Sequence, residues 1–152
     1  MRQNLQIIRL NRFHCKLNLI FLNFSHEKSV EFNIKISKFN YLLENSDFIS
    51  LHVPAQKEFI IDKKQFELMK DGVGIINAAR GGVLNEVELI SALDSGKVSF
   101  AGLDTFENEP KPEIKLLMHP NISLTPHIGA ATNEAQDRIG KELADQISNI
   151  LN

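Results

Sequence analysis

Several polar side chains stand where apolar runs of this sequence stop. His52 lies near the end of the run 47–53, Asn77 closes 73–77, Asp104 closes 100–104, and His127 follows the short run 122–124. If those runs are parallel strands, these residues share the carboxyl edge, where open α/β sheets bind ligands. Two of the following loops carry charge: Arg80 in Asn-Ala-Ala-Arg-Gly-Gly, and Glu109 in an acidic, proline-bearing stretch. An imidazole titrates near neutral pH and a guanidinium grips carboxylates by paired hydrogen bonds, so these types suit proton transfer and acid recognition. Taken singly, each also has an ordinary reading. An Arg after a buried strand most often pairs with a surface acid, a His after Thr-Pro is a polar loop residue, and Glu109 would be solvated. His52 reads as a strand end without chemistry, His14, His26 and His119 as surface or packing residues, and Asp47, Gly81 and Gly82 as turns and caps.

Short strands alternating with helices are needed to position these residues. The sequence predicts a helix over residues 1–13, where Leu5, Ile8, Arg9 and Arg12 fall at roughly helical intervals, then a strand over 17–22. Residues 25–38 alternate charged and apolar side chains and predict a short edge strand, followed by a brief helix over 39–44. Beyond that the pattern is regular, with strands at 47–53, 73–77, 100–104 and 122–124. Helices are expected at 63–69, at 86–95 closed by Gly96, and from 132 or 133 to 151. The implied class is α/β with a doubly wound parallel sheet.

Bulk properties narrow the function. A chain of 152 residues that is 43% hydrophobic buries one core and leaves no room for a second domain. A formal net charge of -2 gives no global attraction to nucleic acid or acidic membranes, so small-molecule chemistry is expected. No apolar stretch is long enough to span a bilayer as a helix. The run Leu19 to Leu22 after Arg2, Arg9, Arg12 and Lys16 is too short, and too broken by Asn18 and Asn23, for a secretory leader. Cys15 is the single cysteine, and no Cys/His cluster has zinc-ligand spacing, so the expectation is a cytoplasmic protein without a structural metal.

Four segments taken in order are more specific than any residue alone. They are Asp47 to Pro54 (DFISLHVP), Met69 to Glu86 (containing INAARGGVLNE), Gly102 to Pro110 (GLDTFENEP), and Leu124 to Thr132 (LTPHIGAAT). Together they resemble the D-isomer-specific 2-hydroxyacid dehydrogenases, and within that family the short-form 3-phosphoglycerate dehydrogenases. The likeness is dense from about Leu42 to Ile147 and faint before it; the chain reads as one partial dinucleotide-binding domain, degenerate over 1–41, motif-rich over 42–131 and ending in a helix over 132–152.

That resemblance implies roles. His127 matches the family's acid–base residue, which takes the hydroxyl proton as hydride leaves for nicotinamide and returns it in reduction. Glu109, rather than Glu107, matches the carboxylate that orients this imidazole. Arg80 matches the guanidinium that holds the substrate carboxylate and polarises the neighbouring carbonyl. Pro54, Ala78, Ala79, Arg80, Asp104, His127 and Gly129 match positions lining the cofactor, with Asp104 on the nicotinamide side. The implied cofactor is NAD, with NADP left open. The implied partners are a small 2-hydroxyacid or 2-oxoacid and a second copy of the chain or a complementary one.

The resemblance also exposes gaps. All eight glycines lie between Gly72 and Gly140, so the G-x-G-x-x-G loop that lets backbone N–H groups reach a pyrophosphate is missing. The expected fold is therefore an incomplete Rossmann-like sheet lacking its first, central strand. Asn23 or a neighbour stands where a ribose-binding acid is expected. Without that strand, the strand over 17–22 should pair directly with the one over 47–53 or be poorly placed. With no substrate domain, the final helix should expose Ile139, Leu143 and Ile147, and activity of the chain alone should be weak or absent. The competing expectations are a non-catalytic dimerisation or binding module, and half of an interrupted gene.

Overall fold

The computed structural model describes the backbone of residues 5–12 and 15–22 and the whole of residues 37–151. The expected edge strand over 25–38 falls almost wholly outside the described residues, as do Asn23, His14 and His26. Among the described residues eleven elements follow in order: β1 (Leu5–Arg12), β2 (Cys15–Leu22), α1 (Phe39–Asn45), β3 (Phe48–His52), α2 (Lys63–Leu68), β4 (Val73–Asn77), α3 (Glu86–Asp94), β5 (Val98–Leu103), α4 (Ile114–Leu117), β6 (Ile122–Leu124) and α5 (Asn133–Leu151).

They build one six-stranded sheet in the order β1-β2-β3-β4-β5-β6. Strands β2 to β6 are parallel, and β1 runs antiparallel to β2. Each parallel step is bridged by a helix-bearing crossover, the α/β Rossmann-like arrangement expected from the alternation. Successive helices touch in turn, α1 on α2, α2 on α3 and α3 on α4. With right-handed crossovers and strands in sequence order, these helices lie on one face, half of a doubly wound arrangement.

Residues 5–12 correct a sequence expectation: they form a strand, not part of a helix over 1–13. Their intervals tolerate a helix, but β2 has β3 on one side only, and its other edge would leave a row of backbone N–H and C=O groups unpaired. Pairing from Leu5↔Leu22 to Arg12↔Cys15 supplies partners along that whole edge. The contracted sheet is the arrangement formed, with Leu17↔Phe48 through Phe21↔His52 in parallel register.

The remaining boundaries follow local chemistry. Helix α3 begins where the Asn85 side chain accepts from the N–H groups of Val87 and Glu88, each at 3.1 Å. It ends at Gly96, whose positive φ of 79° closes the turn. Asp62 caps α2 with Gln65, and Asn85 Nδ2 donates to Asp62 Oδ1 at 2.9 Å, tying the two helix starts together. Helix α4 went unanticipated, because four residues are too few to show a helical period. The core is continuous between sheet and helices: Leu42, Leu43, Ile49, Leu51, Ile61, Val73, Ile75, Val83, Leu89, Val98 and Leu116 are buried. Helix α5 buries no residue, and Ile139, Leu143 and Ile147 are exposed as their spacing anticipated.

Candidate functional site at the carboxyl edge of the sheet

The register brings the strand ends into line. Leu51 lies opposite Asn77, Asn77 opposite Leu103, and Leu103 opposite Leu124, so the loops after β3, β4, β5 and β6 leave from one edge. This places Pro54, the Ala78-Ala79-Arg80 turn, Asp104 with Glu109, and His127 with Gly129 on adjacent loops.

Within that edge, Glu109 and His127 meet directly. His127 Nδ1 lies 2.8 Å from Glu109 Oε2, although the residues are 18 apart in sequence. The other carboxylate oxygen, Oε1, accepts the Phe106 N–H at 2.9 Å. The His127 hydrogen bond, followed by the Phe106 N–H, holds the Glu109 carboxyl below its ordinary range. An ionised Glu109 accepts from Nδ1–H and leaves Nε2 as the free ring nitrogen.

His127 is held by a second carboxylate acting on the backbone. It adopts φ 53°, uncommon for a residue with a side chain. Asp104 Oδ1 accepts from the Thr125 hydroxyl at 2.5 Å and the Ile128 N–H at 2.9 Å, and Oδ2 accepts from the Gly129 N–H at 2.9 Å. Burial pushes the Asp104 carboxyl up, but the Thr125 hydroxyl, the two N–H groups and nearby His127 outweigh it, leaving it lowered. The clamp over the His127 turn was not evident from the sequence, where Asp104 was matched to a cofactor contact. A Cβ on Gly129 would lie 2.9 Å from Asp104 Oδ2, so the missing side chain is what permits this approach.

The Arg80 turn is built by Asn77. Its Oδ1 accepts the Ala79 N–H and its Nδ2 donates to Arg80 O, both at 3.1 Å, which fixes the backbone immediately before and at the arginine. Ala79 is buried, whereas Ala78 and Arg80 are exposed. The guanidinium donates from Nη1 to Ala79 O at 2.6 Å rather than to Glu109 or His127. Thus the structure joins Glu109 to His127, and brings the loop of Arg80 beside theirs without pairing its side chain to them.

Gly81 is more than a turn residue. A Cβ there would sit 1.9 Å from the Phe106 carbonyl oxygen, so the β4–α3 and β5–α4 loops are in backbone contact. Gly82, with φ 74°, is a turn residue as expected. His52 meets Ser50 at 2.8 Å, and His119 packs near Asp94 at 3.5 Å. Pro54 is exposed after β3, with its carbonyl accepting from Gln56 Nε2 at 2.9 Å. Beside the Glu109–His127 pair is a mostly apolar concavity of about 380 Å³ lined by Phe106, Pro110, Leu117, Leu124 and Pro126.

At this edge Ala78 is small and exposed and Gly129 carries no side chain, which suits close approach of a planar ring, whereas Ala79 is buried and the Gly129 N–H is already taken by Asp104. The pyrophosphate half of a dinucleotide has no counterpart in the sequence, which carries no glycine before Gly72. Among the described residues no group of three His, Cys, Asp or Glu is placed to hold a metal ion, and no helix is long and apolar enough to cross a membrane.

A sequence model of the D-isomer specific 2-hydroxyacid dehydrogenase, NAD binding domain, matches residues 7–129. The chain is 46% identical over 129 residues to D-3-phosphoglycerate dehydrogenase of Archaeoglobus fulgidus, covering 83% of this chain and 24% of that one. Its fold is similar to a crystal structure of a glyoxylate reductase from Paecilomyes thermophila, with TM-score 0.72, 40% identity, and coverage of 80% of this chain and 38% of the other. It is likewise similar to D-lactate dehydrogenase from Aquifex aeolicus complexed with NAD and lactic acid, with TM-score 0.69, 33% identity, and coverage of 88% and 45%. This chain therefore spans about a quarter of the curated relative's length and less than half of the two solved ones. On the match over residues 7–129 and the shared fold, the chain belongs to the D-isomer-specific 2-hydroxyacid dehydrogenase family, through its NAD-binding domain.

Proposed function

We propose that this chain supplies the acid–base pair and the nicotinamide-side wall of a dehydrogenase acting on D-2-hydroxyacids, with NAD as cofactor and a 3-phosphoglycerate-like acid as substrate. The observation that carries this reading is the 2.8 Å contact between His127 Nδ1 and Glu109 Oε2 at the sheet edge, beside the Arg80 loop. His127 Nε2 takes the substrate hydroxyl proton in oxidation and returns it in reduction. Glu109 keeps the ring in the tautomer with its proton on Nδ1 and offsets the charge of the imidazolium. Arg80, exposed and free to swing from its neighbour's carbonyl, grips the substrate carboxylate. Nicotinamide, when bound, would supply the hydride chemistry; Ala78, Ala79, Asp104, Gly129 and the loop of Pro54 are the residues that would hold it.

The test is an amide-resolved NMR titration with NADH and then oxamate, a 2-oxoacid mimic. Shifts at Ala78, Asp104 and Gly129, with an oxamate response lost in Arg80→Ala while the nucleotide response stays, support the reading. Nucleotide shifts that avoid this edge, or an oxamate response indifferent to Arg80, overturn it. The lone Cys15 fits a reducing, cytoplasmic setting.

A non-catalytic association module is the second reading, favoured by α5, whose Ile139, Leu143, Ile147, Ile150 and Leu151 are all exposed. The partner would be a second copy or a complementary chain covering that face. Sedimentation over a concentration series, alone and mixed with a full-length relative, separates this reading from the first.

A further inference from the structure

Two carboxylates outside the acid–base pair are locked in a reciprocal exchange. The Glu86 N–H donates to Glu107 Oε1 at 2.7 Å, and the Glu107 N–H donates to Glu86 Oε1 at 2.7 Å. Glu86 is the first residue of α3 and is only 5% exposed. The exchange gives the Glu107 carboxylate a place at the positive end of that helix and satisfies an otherwise unpaired N–H at its start. It also gathers negative charge: burial pushes the Glu86 carboxyl up, the Glu107 N–H opposes this, and Glu107, Glu109 and Glu113 add to the rise.

What the exchange achieves is a joint between two loops. Residues Gly81 to Glu86 descend from the Arg80 turn, and residues Phe106 to Glu109 lead to the acid–base pair. The same loops meet a second time where Gly81 abuts the Phe106 carbonyl. Phe106 then passes the constraint on, because its N–H holds Glu109 Oε1 while Glu109 Oε2 meets His127.

We propose that Glu86 and Glu107 are positioning residues: their reciprocal hydrogen bonds fix the Glu109 carboxylate against His127 and beside the Arg80 loop. The catalytic meaning of this rests on the dehydrogenase reading above, whereas the positioning itself is measurable without turnover. The experiment follows the Glu109 carboxyl carbon by NMR as pH is varied in the full chain. The chain as it stands is compared with Glu86→Ala, Glu107→Ala and Glu86→Gln. In either alanine variant that keeps the parent amide spectrum in β3 to β5, the Glu109 carboxyl should rise toward the ordinary glutamate range and its coupling to the His127 ring should weaken. Glu86→Gln retains an amide oxygen for the Glu107 N–H and should keep Glu109 lowered. Unchanged Glu109 titration in a folded alanine variant overturns the proposal, as does release of Glu109 by glutamine as complete as that by alanine.

A kinetic readout separates this proposal from the function on which it rests. Where turnover is measurable, kcat should fall about 10²-fold in the alanine variants with KM nearly unchanged, because misplacing a proton-transfer group harms the transition state more than binding. A chain whose Ala78, Asp104 and Gly129 amides ignore NADH, yet whose Glu109 moves in Glu86→Ala, would sink the dehydrogenase reading and leave the positioning role standing.

Discussion

Gly81 lies so close to Phe106 that a Cβ built on it would be 1.9 Å from the Phe106 carbonyl oxygen. Neither side can yield cheaply, since the obstacle is backbone. Gly81→Ala should therefore separate the two loops and cost about 1–3 kcal/mol of stability, in the range of overpacked sites. Urea unfolding measures this as a lower midpoint at unchanged slope. A midpoint equal to that of the parent chain would show that the loops part freely.

The Glu109–His127 pair is solvent-exposed on both sides, with side-chain exposures of 37% and 43%. Exposed pairs contribute little to folding, so Glu109→Gln should leave the melting temperature unchanged. Its effect belongs to chemistry: in any assembly of this chain that turns over, kcat/KM should fall about 10²- to 10⁴-fold, as for loss of a general acid–base partner. A Glu109→Gln chain that melts early but retains full kcat/KM would reverse this assignment.

Stability should depend on pH with opposite signs at two carboxyls. Glu86 has a raised folded value, so below about pH 4, near the ordinary glutamate value, both states are protonated and it contributes nothing. As pH rises the unfolded chain gives up its proton first, and stability is lost until the folded value is passed. Glu86→Gln removes that loss while keeping the acceptor for Glu107. Its melting temperature should exceed the parent's at pH 7, the gap closing below about pH 4. A gap that persists unchanged in acid would mean that charge is not its cause.

Asp104 has a lowered folded value, so its contribution is complete above the ordinary aspartate value of about 3.9 and is lost as pH falls through the folded one. Asp104→Asn should flatten the acid limb of the stability curve. It should also loosen the 127–129 turn, because an amide offers one acceptor oxygen where the carboxylate uses both. Faster amide exchange at Ile128 and Gly129 is the corresponding measurement; unchanged exchange there would count against the clamp.

Helix α5 contributes no buried side chain, so Ile139→Ser with Leu143→Ser should leave the unfolding midpoint of the sheet domain near its parent value. If that face mediates self-association, the double variant should sediment as a monomer at concentrations where the parent does not. Equal association of both chains would place the contact elsewhere.

The amino-acid order alone determined the alternation of strands and helices from α1 to α5, α4 excepted, because short apolar runs and the glycine at 96 encode them locally. It also marked Arg80, Glu109 and His127, since four motifs in one order constrain residue type strongly. It misread residues 5–12, where helical intervals competed with the demand of β2's free edge for backbone partners, a demand that exists only once the sheet does. The Glu86–Glu107 exchange, the Gly81–Phe106 approach and the Asp104 clamp over the His127 turn were likewise decided in three dimensions. Each joins residues 21 to 25 positions apart through a backbone atom, and a backbone N–H or carbonyl carries no side-chain signature by which sequence could announce its partner.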